Sequence, residues 1–287
     1  MPCSACWNMQ TLDAGTVLRS RDNPRVRRWR RLIDDRQTRR RAGRAWIEGT
    51  RLVRAYLEAH GAPVALIVSA QASAGGEIAA LVARAGVAPV ALAASVFRSL
   101  AGTETPQGIA AEIEIPSAPP DDSDAEPCVF LDGVQDPGNL GAILRSAAAF
   151  GVPEVVLGTG CADPWSPKVL RAAMGAHFAL QLRETNALAR RFAAFAGERI
   201  CTVPGDGRPL HAVDLRGRHA WAFGGEARGV SEAVAQAATL RAAIPMSGST
   251  ESLNVAIAAS ICLYEVARQR GAATAAGRQG RGPRAAQ

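Results

Sequence analysis

The chain has 287 residues, 48% of them apolar, and a formal net charge of +7. That length suits one large or two ordinary domains. No apolar run reaches the ~18 residues of a membrane span, and no apolar core precedes the first basic region, so a cytoplasmic protein with no membrane partner is expected.

The charge is unevenly placed. Residues 19–54 hold 14 Arg against 4 acidic residues, and residues 268–287 hold 5 Arg and no acid, while 55–267 is acidic overall. Concentrated arginine attracts phosphate backbones, the competing reading being a solvated helix face in an Arg-rich chain. The cysteines at 128, 161, 201 and 262 sit in apolar segments and read as buried thiols. Cys3 and Cys6 form one Cys-x-x-Cys with no second pair, so no metal site is expected.

In chain order, residues 1–17 read as a disordered leader. A basic helix is expected from Pro24 to about Arg41, with Val26, Trp29, Leu32 and Ile33 as its apolar stripe. Trp46–Gly49 ends a strand, 51–59 is a helix, 64–69 a strand, 76–85 a helix, 89–92 a strand, 94–100 a helix and 108–115 a strand. This alternation predicts a small α/β domain over 18–115. Residues 116–127 are acidic and proline-rich, a linker.

A second α/β pattern follows over 128–270. Strands are expected at 128–131, 154–157, 178–182, 200–203, 220–223 and 240–244. Helices are expected at 138–150, 166–174, 186–196 and 231–237. The last helix, from about Ser252 to Arg268, is apolar on every side, so it should be buried in the core or against a second subunit. The Gly, Ala and Arg-rich tail 271–287 reads as disordered and basic.

Three segments carry the chemistry. Asp136-Pro-Gly-Asn139 joins a buried strand to a helix, and on that helix Arg145 lies about 140° round from Leu140, off the apolar stripe. Taken alone it reads as an exposed helical arginine. Gly224-Gly-Glu226, with Gly229, follows an apolar strand; glycine lets a ligand approach the backbone, or simply makes the turn. Ile244-Pro-Met246 leads through a small-residue loop to Ser252-Leu-Asn-Val255, where Ser252 and Asn254 can cap the last helix. No complete dinucleotide fingerprint or phosphate loop is present.

In this order and spacing, the three segments closely resemble the SpoU, or TrmH-like, family of the SPOUT superfamily, over residues 127–270. Arg21-Asp-Asn-Pro24, Glu48-Gly49 and Thr105-Pro-Gln-Gly108 resemble the substrate-binding domain common in that family, which is similar to a ribosomal RNA-binding protein. The departures are small: Ala227 where glycine is frequent and Ala256 where serine is.

The resemblance implies an S-adenosylmethionine-dependent RNA 2′-O-ribose methyltransferase, most simply one acting on 23S ribosomal RNA. Transfer RNA, or a non-catalytic RNA-binding protein on the same fold, are the alternatives. It implies a C-terminal α/β trefoil-knot domain, a smaller N-terminal α/β RNA-binding domain, and a homodimer through the methyltransferase domain. Arg145 would be catalytic, with Asn139, Glu226, Ser252 and Asn254. Gly224, Gly225, Gly229, Ile244, Met246, Ser252 and Leu253 would hold the methyl donor. Arg21, Asn23, Arg27, Arg28, Arg39, Arg40 and Arg41 would face RNA.

Overall fold

The computed structural model describes residues 17–72, 76–117, 127–226, 228–248 and 251–279. The expected leader up to residue 16, residues 118–126 of the expected linker and the tail beyond 279 therefore lie outside the described residues. Contacts divide the chain into two compact units, one of Met1–Ser117 with Asp163–Phe178, the other of Ala118–Ala162 with Ala179–Gln287.

In the first unit the basic helix is two helices, α1 (Pro24–Asp34) and α2 (Arg36–Ala42). Asn23 caps α1 by accepting from Arg25 N, and Pro24 sits in its first turn, where a missing N–H costs nothing. The continuous helix expected from the apolar stripe fails at Asp35. Its backbone is extended, and its carboxylate accepts from Gln37 N (3.2 Å) and Thr38 N (2.7 Å), capping α2. Strand β1 (Arg44–Glu48), helix α3 (Thr50–His60), β2 (Ala65–Ser69), α4 (Gly76–Arg84), β3 (Val90–Leu92), α5 (Ala94–Leu100) and β4 (Ile109–Glu114) follow. The sheet order is β1-β4-β2-β3, antiparallel except for β2 with β3. Trp29, Trp46, Ile67, Phe97 and Leu100 form its core under α1 and α5. Trp29 Nε1 donates to the buried carboxylate of Glu112 at 2.8 Å.

The second unit carries β5 (Cys128–Asp132), α6 (Pro137–Ala149) and β6 (Glu154–Leu157). Helix α7 (Pro167–Ala173) follows in sequence but belongs to the first unit. The strand expected at 178–182 begins later: Ala176–Ala179 is a 3-10 turn and β7 is Gln181–Glu184. Then come α8 (Leu188–Ala194), β8 (Glu198–Thr202), a short β9 (Arg208–Pro209), which periodicity does not reveal, β10 (His219–Gly224), α9 (Glu232–Ala237), β11 (Leu240–Ala243) and α10 (Val255–Gln279). The sheet runs β7-β6-β5-β10-β8-β11-β9, all pairs parallel. Its strands β5, β6 and β10 are buried almost throughout, as helices on both faces of a parallel sheet require.

Helix α10 corrects one expectation. It runs on to Gln279, since alanine carries an established helix forward at little cost, so 271–279 is helical. Nor is it buried all round: Ala259, Cys262, Leu263 and Val266 are buried, but Ile257 and Tyr264 are more than half exposed. Ser260 donates to the Ala256 carbonyl, which leaves Ser146 of α6 as donor in the 2.7 Å bond that ties the two helices. Cys128, Cys161, Cys201 and Cys262 are buried thiols, and burial pushes Cys262 up to about 12. Among the described residues no helix is long and apolar enough to cross a membrane, and no cluster of His, Cys, Asp or Glu could hold a metal ion.

One buried histidine makes the first unit pH-sensitive. His177 Nε2 lies 2.7 Å from the Pro164 carbonyl, which can only accept, so the proton sits on Nε2 and Nδ1 is buried with no partner. Burial lowers its pKa from 6.5 to about 4. The folded form therefore resists a proton that the unfolded chain takes up. This contribution is complete above pH 6.5 and is lost as pH falls towards 4, amounting to about 3 kcal/mol. A His177→Phe variant should lose correspondingly less stability between pH 7 and 4 in urea titrations. Equal losses in variant and wild type would refute this.

Candidate active site

The site lies where open parallel sheets place ligands, outside the carboxyl ends of the strands. A cleft of about 520 Å³ is lined by Thr202–Pro204 after β8, by Gly224, Gly225, Glu226, Arg228 and Gly229 after β10, and by Ile244 and Met246 after β11. Ser252–Val255 and Ala258 complete it. All seven cofactor residues expected from the sequence line this cleft, with Glu226 and Asn254.

The glycines have an explanation the sequence did not supply. A Cβ on Gly224 would lie 1.8 Å from the Gly229 carbonyl carbon, and one on Gly225 would lie 2.3 Å from the Gly133 carbonyl oxygen. The loop's own backbone occupies that space. Gly225 N donates to the Asp132 carbonyl (2.8 Å) and Gly229 N to the Gly225 carbonyl (2.9 Å). Asp132 also accepts from Ser231 N at 2.7 Å, fixing the far end of the loop. The close approach is thus between chain segments, and it sets the shape that a ligand meets.

A directed hydrogen-bond chain joins the three motifs. Asn139 Nδ2 donates to Glu226 Oε1 at 2.7 Å, and Asn254 Nδ2 donates to Asn139 Oδ1 at 2.9 Å. Asn254 Oδ1 accepts from Ala256 N and Ile257 N at the start of α10. An ionised carboxylate only accepts, so Asn139 must turn its NH₂ to Glu226, and every later amide follows in one orientation. Asp136 Oδ1 accepts from Asn139 N at 2.7 Å and holds the turn. Burial pushes the Glu226 carboxyl up, but the bonds from Asn139 and from the backbone N–H groups of Glu226, Gln135 and Asp136 outweigh it and hold it below the ordinary glutamate range.

Two expected catalytic residues stand outside this chain of bonds. Ser252 is exposed in the cleft wall and Arg145 is exposed on α6, about 9 Å along the axis from Asn139. Neither makes a hydrogen bond or ion pair with another described residue. Sequence reasoning missed Val203, Pro204, Arg228 and Asp132. The first two follow a strand directly, a signal that the strand-end rule could have used.

The expected RNA-facing residues separate in the same way. Arg21, Arg27, Arg28, Arg40 and Arg41 are exposed, and Arg28 also pairs with Glu112 at 2.5 Å. Asn23 is the cap of α1. Arg39 has to be removed from the set. It is 4% exposed, and four of its five N–H donors go to Asp163 and to the carbonyls of Leu32 and Ile33, so its charge is buried and paired away from any phosphate.

A parallel α/β sheet with a polar cleft at its strand ends is the arrangement of a ligand-binding α/β domain. Comparison with known proteins narrows this. The SpoU rRNA Methylase family model matches residues 126–264, and the MRM3-like substrate binding domain matches residues 23–111. The 23S rRNA (guanosine(2553)-2′-O)-methyltransferase RlmP of Bacillus subtilis is 31% identical over 87% of this chain and 98% of its own length. An uncharacterized tRNA/rRNA methyltransferase of Synechocystis sp. is 39% identical over 63% of this chain and 68% of its own. Among solved structures, the SpoU methyltransferase AviRb of Streptomyces viridochromogenes in complex with AdoMet is 27% identical, with a TM-score of 0.76 over 87% of this chain and 100% of its own. The chain belongs to the SpoU rRNA methylase family.

Proposed function

We propose that this chain transfers a methyl group from S-adenosylmethionine to a ribose 2′-hydroxyl of RNA, with 23S ribosomal RNA as substrate. The observation that carries the reading is the Glu226–Asn139–Asn254 chain of bonds at the strand-end cleft, which unites three motifs far apart in sequence. The names of the Bacillus relative and of the AdoMet-bound neighbour support it.

The cleft fits the methyl donor. Its volume falls in the usual range for small-molecule sites, about 300–1,000 Å³. Val203, Pro204, Ile244, Leu253 and Ala258 offer apolar surface for an adenine ring, while Glu226, Ser252, Asn254 and backbone groups offer polar partners. Bound there, the donor supplies an already activated methyl sulfonium. The protein's task is then to orient the 2′-hydroxyl and manage its proton. Glu226, held in its ionised form by the bonds it accepts, is a weak proton acceptor and serves to anchor Asn139. Arg145 presents five donors in a planar fork, suited to orienting the hydroxyl and stabilising the charge that develops on its oxygen. The proton leaves to an RNA phosphate or to water.

The proposal extends to a homodimer. Ile257, Tyr264, Phe150, Ile261 and Ala142 form an apolar surface along α6 and α10, and exposed apolar surface of this kind marks interfaces. Arg145 stands on the same helix as Ala142, so a second copy would meet it. The knot that the resemblance implies is supported by Ile244, Met246 and Ser252–Val255 lining the same cleft as the ends of β8 and β10. The exposed arginines of α1 and α2 would meet the phosphate backbone.

The test is to incubate the chain with S-adenosylmethionine and unmodified ribosomal RNA or transfer RNA, then map alkali-resistant linkages. A new resistant linkage in 23S RNA is expected. None in any RNA would sink the reading.

A further inference from the structure

The first unit contains a cavity of its own. It measures about 410 Å³ and opens where β2 ends and α5 begins, with Ser69, Gln71, Arg98, Glu104, Pro106 and Gln107 in its wall. One wall is a close approach that only glycine allows. Gly108 has φ +86°, and a Cβ there would lie 2.9 Å from the Ala72 Cβ and 3.4 Å from the Ser69 Cβ.

The polar groups in its wall are arranged asymmetrically. Gln107 Oε1 accepts from Thr50 N at 2.9 Å and from Thr50 Oγ1 at 3.4 Å, which fixes its amide with the acceptor side satisfied. Its NH₂ makes no bond with another described residue. Arg98 and Glu104 are exposed and form no ion pair with each other or with another described residue. The cavity therefore combines two donor groups with one carboxylate acceptor, none of which the fold itself uses.

We propose that this cavity binds one unstacked guanine of the substrate RNA, an inference that rests on the RNA reading above. Guanine offers the acceptors O6 and N7 on one edge and N–H donors at its N1 and N2 positions. Arg98 and the Gln107 NH₂ match the acceptors, and Glu104 matches the donors. Adenine would turn its N6–H₂ donor towards Arg98 and Gln107, where guanine turns O6. Unstacked bases of single-stranded RNA are commonly read on their edges in this way.

The test uses the full chain and two fluorescent RNA probes, a decamer of adenosine and the same decamer with one central guanosine. Anisotropy titrations should show the guanosine probe binding about tenfold tighter, the scale of one good base contact. Glu104→Gln should reduce that preference below about twofold and leave affinity for the all-adenosine probe unchanged. Gln107→Glu keeps the acceptor for Thr50, so it should fold, and should also lose the preference. Equal affinity of wild type for the two probes, or a preference that survives both substitutions, overturns the proposal. A parallel calorimetric titration with S-adenosylmethionine separates the two readings. Donor binding without guanine preference refutes the cavity alone, and guanine preference without donor binding refutes the methyltransferase reading alone.

Discussion

Replacing Arg145 with alanine should slow methyl transfer by about 10²–10³-fold, the usual effect of losing one donor to a developing oxyanion. Donor affinity and thermal stability should hardly change. Arg145 is exposed on α6, and the buried face of that helix is formed by Leu140, Ile143, Leu144 and Ala147. An exposed substitution of this kind moves stability by about ±0.5 kcal/mol. Arg145→Lys should recover little, because the charge remains but the planar fork is lost. Single-turnover kinetics at saturating donor and RNA isolate the effect to the chemical step. A rate within about threefold of wild type, under 1 kcal/mol of barrier, would make Arg145 a solvated helix residue.

Asp163→Ala should strongly destabilise the first unit. It leaves the Arg39 guanidinium buried beside two carbonyls with no counter-charge. The side chains of the pair are only 5% and 10% exposed, and the contact is 2.5 Å. Breaking a buried pair on one side costs about 3–5 kcal/mol. Removing both charges with apolar residues, Arg39→Met with Asp163→Leu, should cost much less, since neither leaves a buried ion alone. Thermal and urea denaturation of the single and double variants would check this. Similar losses in all of them, or less than about 1 kcal/mol in Asp163→Ala, would show that the pair is solvated. The folded double variant should also keep the salt dependence of RNA binding, because the Arg39 charge is buried and paired with Asp163.

The same pair shows where reading the chain stops. Arg39 lies among six arginines between 36 and 51 and looks like its neighbours; its partner is 124 residues away. Deleting residues 1–115 would likewise strip Asp163–Phe178 of its contacts, which an acidic, proline-rich boundary at 116–127 does not suggest. Asp35 was legible in principle, since Asp-x-x-Thr is a helix start, but the apolar stripe on its N-terminal side hid it.

The sequence by itself determined most helices and strands, because caps, periodicity and turn residues act within a few positions of each other. It also determined the three motifs and their order, and with them the family. Only the tertiary structure decided how the motifs act together. The sheet order β5-β10-β8-β11 brings strand ends side by side that are up to about a hundred residues apart, so Asn139, Glu226 and Asn254 share bonds that no local pattern encodes. It decided that the glycines after β10 make room for backbone and that one arginine of the basic segment is a core residue. Burial and pairing depend on what the rest of the chain brings near a residue, and spacing along the sequence carries that information only where the partners are neighbours.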